Sequence, residues 1–171
     1  YDAENILLTN GSKQSLYMIF QVLCDPSDEV IIPVPYWVSF VEQVKLAGGR
    51  PVPVATKDYQ RNCEAIEAAV TPRTKAILIN SPNNPSGVLY PVTDLQKIAQ
   101  LADDHDLFII ADEAYDEFVY DGSVHTSMFD IETASNRVVV TRSFSKSYSM
   151  TGFRIGYVAA PDQIIAALSK I

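Results

Sequence analysis

The chain has 171 residues, of which 47% are hydrophobic and 20% charged, with a formal net charge of -8. This length supports one domain with a sizeable core, and the composition is that of a globular protein. The acidic balance without a basic tract argues against nucleic acid, and no apolar run approaches the ~20 residues of a membrane span.

Asn5-Ile6-Leu7-Leu8-Thr9 reads as a short apolar strand and Asn10-Gly11 as a turn. Ser12 is expected to cap a helix to about Leu23, with Leu16, Ile19, Phe20 and Leu23 on one face. Glu29 to Ile32 is the next strand. Pro33 and Pro35 impose an extended segment, and Trp37 opens a helix to about Ala47, stopped by Gly48-Gly49. Pro51-Val52-Pro53-Val54 has strand character, with prolines that suit a sheet edge. A helix follows around Cys63 to Val70, then the apolar strand Ala76 to Ile79. A Pro- and Asn-rich loop spans Ser81 to Gly87. Thr93 caps a helix to about Asp104, and the strand Leu107 to Ala111 ends at Asp112. Val138 to Thr141 and Ile155 to Ala159 are the last strands, and Pro161 starts a final helix.

Continuous apolar strands alternating with helices indicate an α/β fold, a three-layer αβα arrangement with a mostly parallel central sheet. There is no internal repeat or interdomain linker, and the chain reads as a domain from something longer. Cys24 and Cys63 have no metal-ligand spacing and fit reduced thiols of a cytosolic protein; no metal site is expected. No signal-peptide pattern is present.

Five strand-end loops carry unusual residues, and strand ends are where open α/β sheets hold ligands. Gly11-Ser12-Lys13 before a helix offers free N–H groups to a phosphate, or is an ordinary Ser cap. Trp37 either stacks on a planar ring or anchors its helix. Asn83-Asn84-Pro85-Ser86-Gly87 is a turn that also carries amide donors. Asp112, directly after a buried strand, needs a partner such as a cationic ring nitrogen, a salt bridge or a helix cap. Ser143 to Arg154 sets Lys146 among small hydroxyls. A lysine partly desolvated there acts as an amine nucleophile, whereas the same residue in water is only a loop charge. Arg154 and the hydroxyls suit an anion.

Together these loops list a phosphate cradle, a ring stacker, partners for a ring oxygen and a ring nitrogen, and a Schiff-base lysine. In these motifs and their order, the whole chain resembles the pyridoxal-phosphate-dependent aminotransferases of fold type I, class I/II. The resemblance implies that residues 1–171 are the large domain, binding pyridoxal 5'-phosphate. Lys146 matches the Schiff-base and proton-transfer lysine, and Asp112 the acid on the pyridine nitrogen. Tyr115 and Asn84 match the partners of the ring oxygen, and Trp37 the stacking aromatic. Gly11, Ser12, Lys13, Ser143 and Arg154 match the phosphate cradle, with Lys13 departing from relatives that carry a small hydroxyl there. Ser145 fills a variable small position and is not included.

The implied reaction is ping-pong exchange of an amino group between an amino acid and a 2-oxo acid. Pro35-Tyr36-Trp37-Val38-Ser39 looks most like the bacterial-type aspartate aminotransferases and their relatives, so the substrates expected are aspartate- or glutamate-like or aromatic. The alternatives are a lyase of the same fold, such as an aminocyclopropane-carboxylate synthase or β-lyase, and the cofactor-binding sensor domain of a transcription regulator. The resemblance also implies a cytoplasmic homodimer at full length, with a small domain and a substrate-carboxylate arginine outside this chain. Arg50, Arg61, Arg73, Arg137 and Arg142 lie outside the five loops, although Arg142 adjoins one. Asp116-Glu117 reads as surface charge, His105 as a solvated helix end, His125 as lacking a carboxylate partner, and Tyr148 and Tyr157 as packing residues.

Overall fold

The apolar runs become the strands of one sheet. The computed structural model describes residues 1–56, 62–132 and 136–171. Among these the strands are β1 (Ile6–Thr9), β2 (Glu29–Pro33), β3 (Arg50–Val54), β4 (Thr74–Asn80), β5 (Phe108–Asp112), β6 (Val138–Ser143) and β7 (Gly156–Ala159). Their order is β1-β7-β6-β5-β4-β2-β3. The run from β3 to β6 is parallel, and β7 is antiparallel to both β6 and β1. The proline-bearing β3 lies at the sheet edge, as its missing N–H donors require.

The helices are α1 (Ser12–Leu23), α2 (Ser39–Leu46), α3 (Cys63–Ala68), α4 (Val92–Asp104), α5 (Phe144–Ser147) and α6 (Asp162–Leu168). Alternation along each strand divides the core in two. Val30, Ile32, Ala76, Leu78, Ile110 and Val139 face α1, α2 and α6. Ile31, Ile77, Ile79, Ile109, Ala111, Val138 and Val140 face the other way, against Ile66 of α3 and Leu95 and Ile98 of α4. These strand residues are at most 2% exposed, and such burial contributes roughly 1.5–3 kcal/mol for each large side chain. The fold is therefore three layers, αβα, with a mostly parallel sheet in the middle.

Three helix starts differ from the sequence reading. Gly11, not Ser12, occupies the cap of α1, so the Ser12 hydroxyl is left for other partners. Helix α2 starts at Ser39, two residues after Trp37, whose carbonyl accepts from Phe40 N–H at 3.0 Å. Helix α4 starts at Val92, with the Pro91 carbonyl serving its first turn, ahead of Thr93.

At the amino end of the sheet, Glu29 is fully buried and bound by Arg50, Arg73 and the Thr71 hydroxyl. Desolvation opposes its charge, but these donors win and hold its pKa below the ordinary value. The opposite, carboxyl end of the parallel strands is where the chemistry-bearing loops gather.

Candidate active site

Strands β1, β2, β4, β5 and β6 run in one direction, so the loops that follow them emerge at one edge of the sheet. They enclose a cavity of about 430 Å³. Ser12, Lys13, Trp37, Asn84, Asp112, Tyr115, Ser143, Lys146 and Arg154 all line it. Gly11 lies beneath Arg154. The ten residues expected from sequence are thus brought together.

On one side the cavity is built for an anion. Gly11 has φ +79°, a region that favours glycine, and the Arg154 guanidinium packs where its Cβ would be. Arg154 itself adopts the left-handed conformation, with φ 53°. Its Nη1 donates to Ser145 Oγ at 3.0 Å and to the Thr151 carbonyl at 3.1 Å. The α1 N–H groups of Ser12 and Lys13 have no acceptor within the helix, and its positive end faces the cavity. Gly156 is needed here too: a Cβ would come within 2.7 Å of Ser12 N and 2.8 Å of the Arg142 carbonyl.

The other side suits a flat polar ring. Trp37 is half-buried, edge-on to Phe40 at 5.6 Å, with the Lys13 ammonium 4.7 Å from its ring centre. Asn84 Nδ2 donates to the Tyr115 hydroxyl at 3.4 Å. Its backbone N–H is held by Asn80 Oδ1 at 2.7 Å, while Asn80 Nδ2 donates to the Asp112 carbonyl at 2.9 Å. The neighbouring Asn83 turns away and ties the loop to the Pro35 carbonyl at 3.1 Å. The Asn pair is thereby divided into one structural residue and one that faces the cavity.

Asp112 ends β5 and is only 4% exposed. Ala114 N–H donates to its Oδ1 at 3.2 Å, and among the described residues no cation pairs with it. Burial pushes its pKa up to about 7, against the Ala114 N–H, with the Glu113 charge adding to the rise. A buried acid without a cation is a place prepared for one. Lys146 lies in α5 with its Nζ 6.0 Å from the Tyr115 ring centre. It is exposed, so the desolvation expected for it is not supplied by the described residues.

Sequence reading missed several participants. Asn80, Ala114, Ser145 and Thr151 also line the cavity, and Ser145 Oγ accepts from Arg154. Ser145 stands one residue before Lys146 in a run already rich in hydroxyls, which was the available signal. Arg142 and Asp116 form an ion pair at 3.2 Å, so Asp116 is more than a surface charge. His125 does have a carboxylate neighbour: its Nε2 lies 3.4 Å from Glu113 Oε2, without hydrogen-bond alignment. The other arginines remain away from the cavity lining, except that Arg61 lies outside the described residues. Among the described residues no cluster of His, Cys, Asp or Glu is placed to hold a metal, and no helix is long and apolar enough to cross a membrane.

The family model for aminotransferase class I and II matches residues 1–171. The chain belongs to this family. It is 43% identical over 175 residues to the aspartate aminotransferase of Bacillus subtilis, covering 100% of this chain and 44% of that protein. The structure superposes on aspartate aminotransferase from Thermotoga maritima with a TM-score of 0.95 at 42% identity, over 99% of this chain and 46% of that one. It also matches an aromatic aminotransferase from Pyrococcus horikoshii, with a TM-score of 0.93 at 38% identity, over 96% and 45% of the two chains. The chain thus spans less than half the length of the relatives it matches. Class I and II aminotransferases use pyridoxal 5'-phosphate. The residues fit that group: an anion cradle with Arg154, an aromatic face and a buried acid without a cation all open onto one cavity.

Proposed function

We propose that residues 1–171 form the cofactor-binding large domain of an aminotransferase, which moves an amino group between an amino acid and a 2-oxo acid. The single observation that carries this reading is the Lys146 amine and the buried Asp112 carboxylate facing one cavity with the Arg154 cradle. Pyridoxal phosphate, when bound, supplies an aldehyde for Schiff-base chemistry and a ring that accepts electrons.

In this reading the chain's own groups divide the work. Gly11, Ser12, Lys13, Ser143 and Arg154 hold the phosphate through backbone N–H groups, hydroxyls and a guanidinium. Trp37 covers one ring face and keeps water from it. Tyr115 and Asn84 hold the ring oxygen. Asp112, ionised beside a cationic ring, keeps a proton on the ring nitrogen; the burial that disfavours its charge when alone favours pairing with a cation. Lys146 is the amine nucleophile and afterwards the base that takes and returns the proton at the substrate Cα.

The names of the relatives support aspartate-like or aromatic amino acids as substrates. The remaining part of the enzyme supplies the small domain and the grip on the substrate carboxylate, and the full chain works as a cytoplasmic homodimer. To test the reading, the full-length protein is given pyridoxal phosphate, reduced with borohydride and mapped by peptide. Label on Lys146, and conversion of an amino acid to its 2-oxo acid, are expected. Label confined to Lys13 or Lys170 would overturn it.

A further inference from the structure

Behind the cavity lies a second cluster of charges that the proposed reaction does not use. Glu113 is 2% exposed, yet its carboxylate is fully engaged. Arg142 donates to its Oε2 from Nε at 3.0 Å and from Nη2 at 2.7 Å. The Ser127 hydroxyl reaches both oxygens at 2.9 Å, and Met128 N–H donates to Oε1 at 2.9 Å. The far side of the Arg142 guanidinium pairs with Asp116, Nη1 to Oδ2 at 3.2 Å. The other Asp116 oxygen lies 3.5 Å from the Ser147 hydroxyl.

The three charged members and Ser147 are each a chain neighbour of a residue that faces the cavity. Glu113 follows Asp112, Asp116 follows Tyr115, Arg142 precedes Ser143, and Ser147 follows Lys146. Resting on the reading above, we propose that Arg142 is a positioning residue. With Glu113 and Asp116 it clamps the turn that carries Lys146 onto the loop that carries Asp112 and Tyr115.

The geometry asks for arginine. A planar fork brings two donors, Nε and Nη2, onto the one oxygen Glu113 Oε2 and keeps a third for Asp116, which an ammonium on a flexible stem does not reproduce. The location also separates this cluster from an ordinary structural one. The Glu29 cluster sits at the amino end of the sheet, away from the cavity, and joins β2 to β3 and to the segment before β4. The Arg142 cluster instead joins the two segments whose relative placement decides where an amine stands against an acid. Backbone pairing between them stops at Glu113 N–H to the Thr141 carbonyl, 2.9 Å; beyond that point the direct links between the two segments are side-chain ones, while the Lys146 turn is held from the other side by Phe144 N–H to the Ile155 carbonyl at 3.1 Å.

The test uses the full-length protein with Arg142→Lys, Arg142→Met and Asp116→Asn. A misplacement of about 1 Å at a reacting group costs on the order of 100-fold in rate. Arg142→Lys is therefore expected to lower kcat by about 10- to 100-fold with KM changed far less, and Asp116→Asn to lower it in the same direction by less. Both should move the pH midpoint of the visible band of the loaded enzyme. In the cofactor-free chain both should speed amide exchange at residues 144–147. If Arg142→Met fails to fold, Arg142→Lys and Asp116→Asn still decide. Variants that lose thermal stability while kcat, band midpoint and exchange all stay at wild-type values would reduce the cluster to a structural ion pair and overturn the clamp. A wild-type chain that takes no label on Lys146 would overturn the clamp together with the functional reading.

Discussion

The Arg154 guanidinium occupies the space that a side chain at Gly11 would need. The two residues lie 143 positions apart, and the β1–β7 pairing of Thr9 with Gly156 brings them together. Gly11→Ala should displace Arg154 and also strain a backbone at φ +79°. The expected result is at least about tenfold weaker binding of pyridoxal phosphate, since a charge-assisted contact of roughly 1.5–3 kcal/mol is disturbed. Pyridoxal without its phosphate should bind as before. The double variant Gly11→Ala with Arg154→Ala should be little worse than Arg154→Ala alone, because the same contact is lost. Titration of each cofactor-free variant with both ligands checks this; fully additive losses would contradict it.

Asp112 gives a pH signature in the cofactor-free protein. Its pKa rises from 3.8 to about 7 on folding. Between those values the native state keeps a proton that the unfolded chain has released. Its contribution to stability is therefore whole below about pH 4, is lost as pH rises towards about 7, and stays lost above it. The ceiling on this loss is about 4 kcal/mol. Asp112→Asn should raise the melting temperature at pH 8 and lose that advantage near pH 4. A cationic ring beside the carboxylate should abolish the difference in the loaded protein, while Asp112→Asn lowers kcat much more than cofactor affinity. Melting curves against pH, with and without cofactor, test both halves.

Most of the cavity was legible because its residues are out of place locally. A carboxylate at the end of an apolar strand, a lysine among hydroxyls and a glycine before a helix each signal a requirement beyond secondary structure. The parallel direction of the strands then fixes that such loops meet at one edge. The cluster around Arg142 was not legible for the opposite reason. Glu113 and Arg142 stand 29 residues apart, and only the register of β5 with β6 shows that they touch. Asp116 reads as surface charge and His125 as lacking a carboxylate partner until the fold sets Asp116 against Arg142 and His125 against Glu113. The cap of α1 was misread because Ser is the commoner cap. Here Gly11 takes that position, since the chain must turn beneath Arg154.

Glu29 offers a stability test away from the cavity. It is fully buried, whereas Arg50 and Arg73 are more than half exposed. Removing both arginines leaves the carboxylate with Thr71 as its remaining side-chain donor; water admitted by the truncation offsets part of the loss, so the cost should fall below the roughly 3–5 kcal/mol of a charge left fully buried. The double variant Arg50→Ala, Arg73→Ala should be destabilised at pH 7. Adding Glu29→Gln should restore much of the loss, because the charge is gone. For the wild-type pair, a lowered Glu29 pKa means stability present above the ordinary carboxylate range and lost as pH falls through the folded value. Urea unfolding at pH 7 and pH 4 would measure this; a double variant as stable as wild type at pH 7 would refute it.

Trp37 separates ring contacts from phosphate contacts. It is the single tryptophan of these 171 residues, set edge-on against Phe40 with one face reached by the Lys13 ammonium. A pyridine ring stacked on the indole should quench its emission as the cofactor is added, giving a direct binding signal. Aromatic stacking is worth about 0.5–1.5 kcal/mol beyond area burial, or roughly a 2- to 12-fold change in affinity. Trp37→Ala should therefore weaken binding by about that factor or somewhat more, with the lost contact area added. Trp37→Phe should cost only part of it, since a smaller ring still stacks and still packs on Phe40. Unlike Gly11→Ala, the Trp37 variants should weaken pyridoxal and its phosphate by the same factor, because only the ring meets the indole. Fluorescence and absorbance titrations of both ligands distinguish the two classes. If Trp37→Ala weakened only the phosphorylated ligand, the indole would be serving the cradle through Lys13 and not the ring.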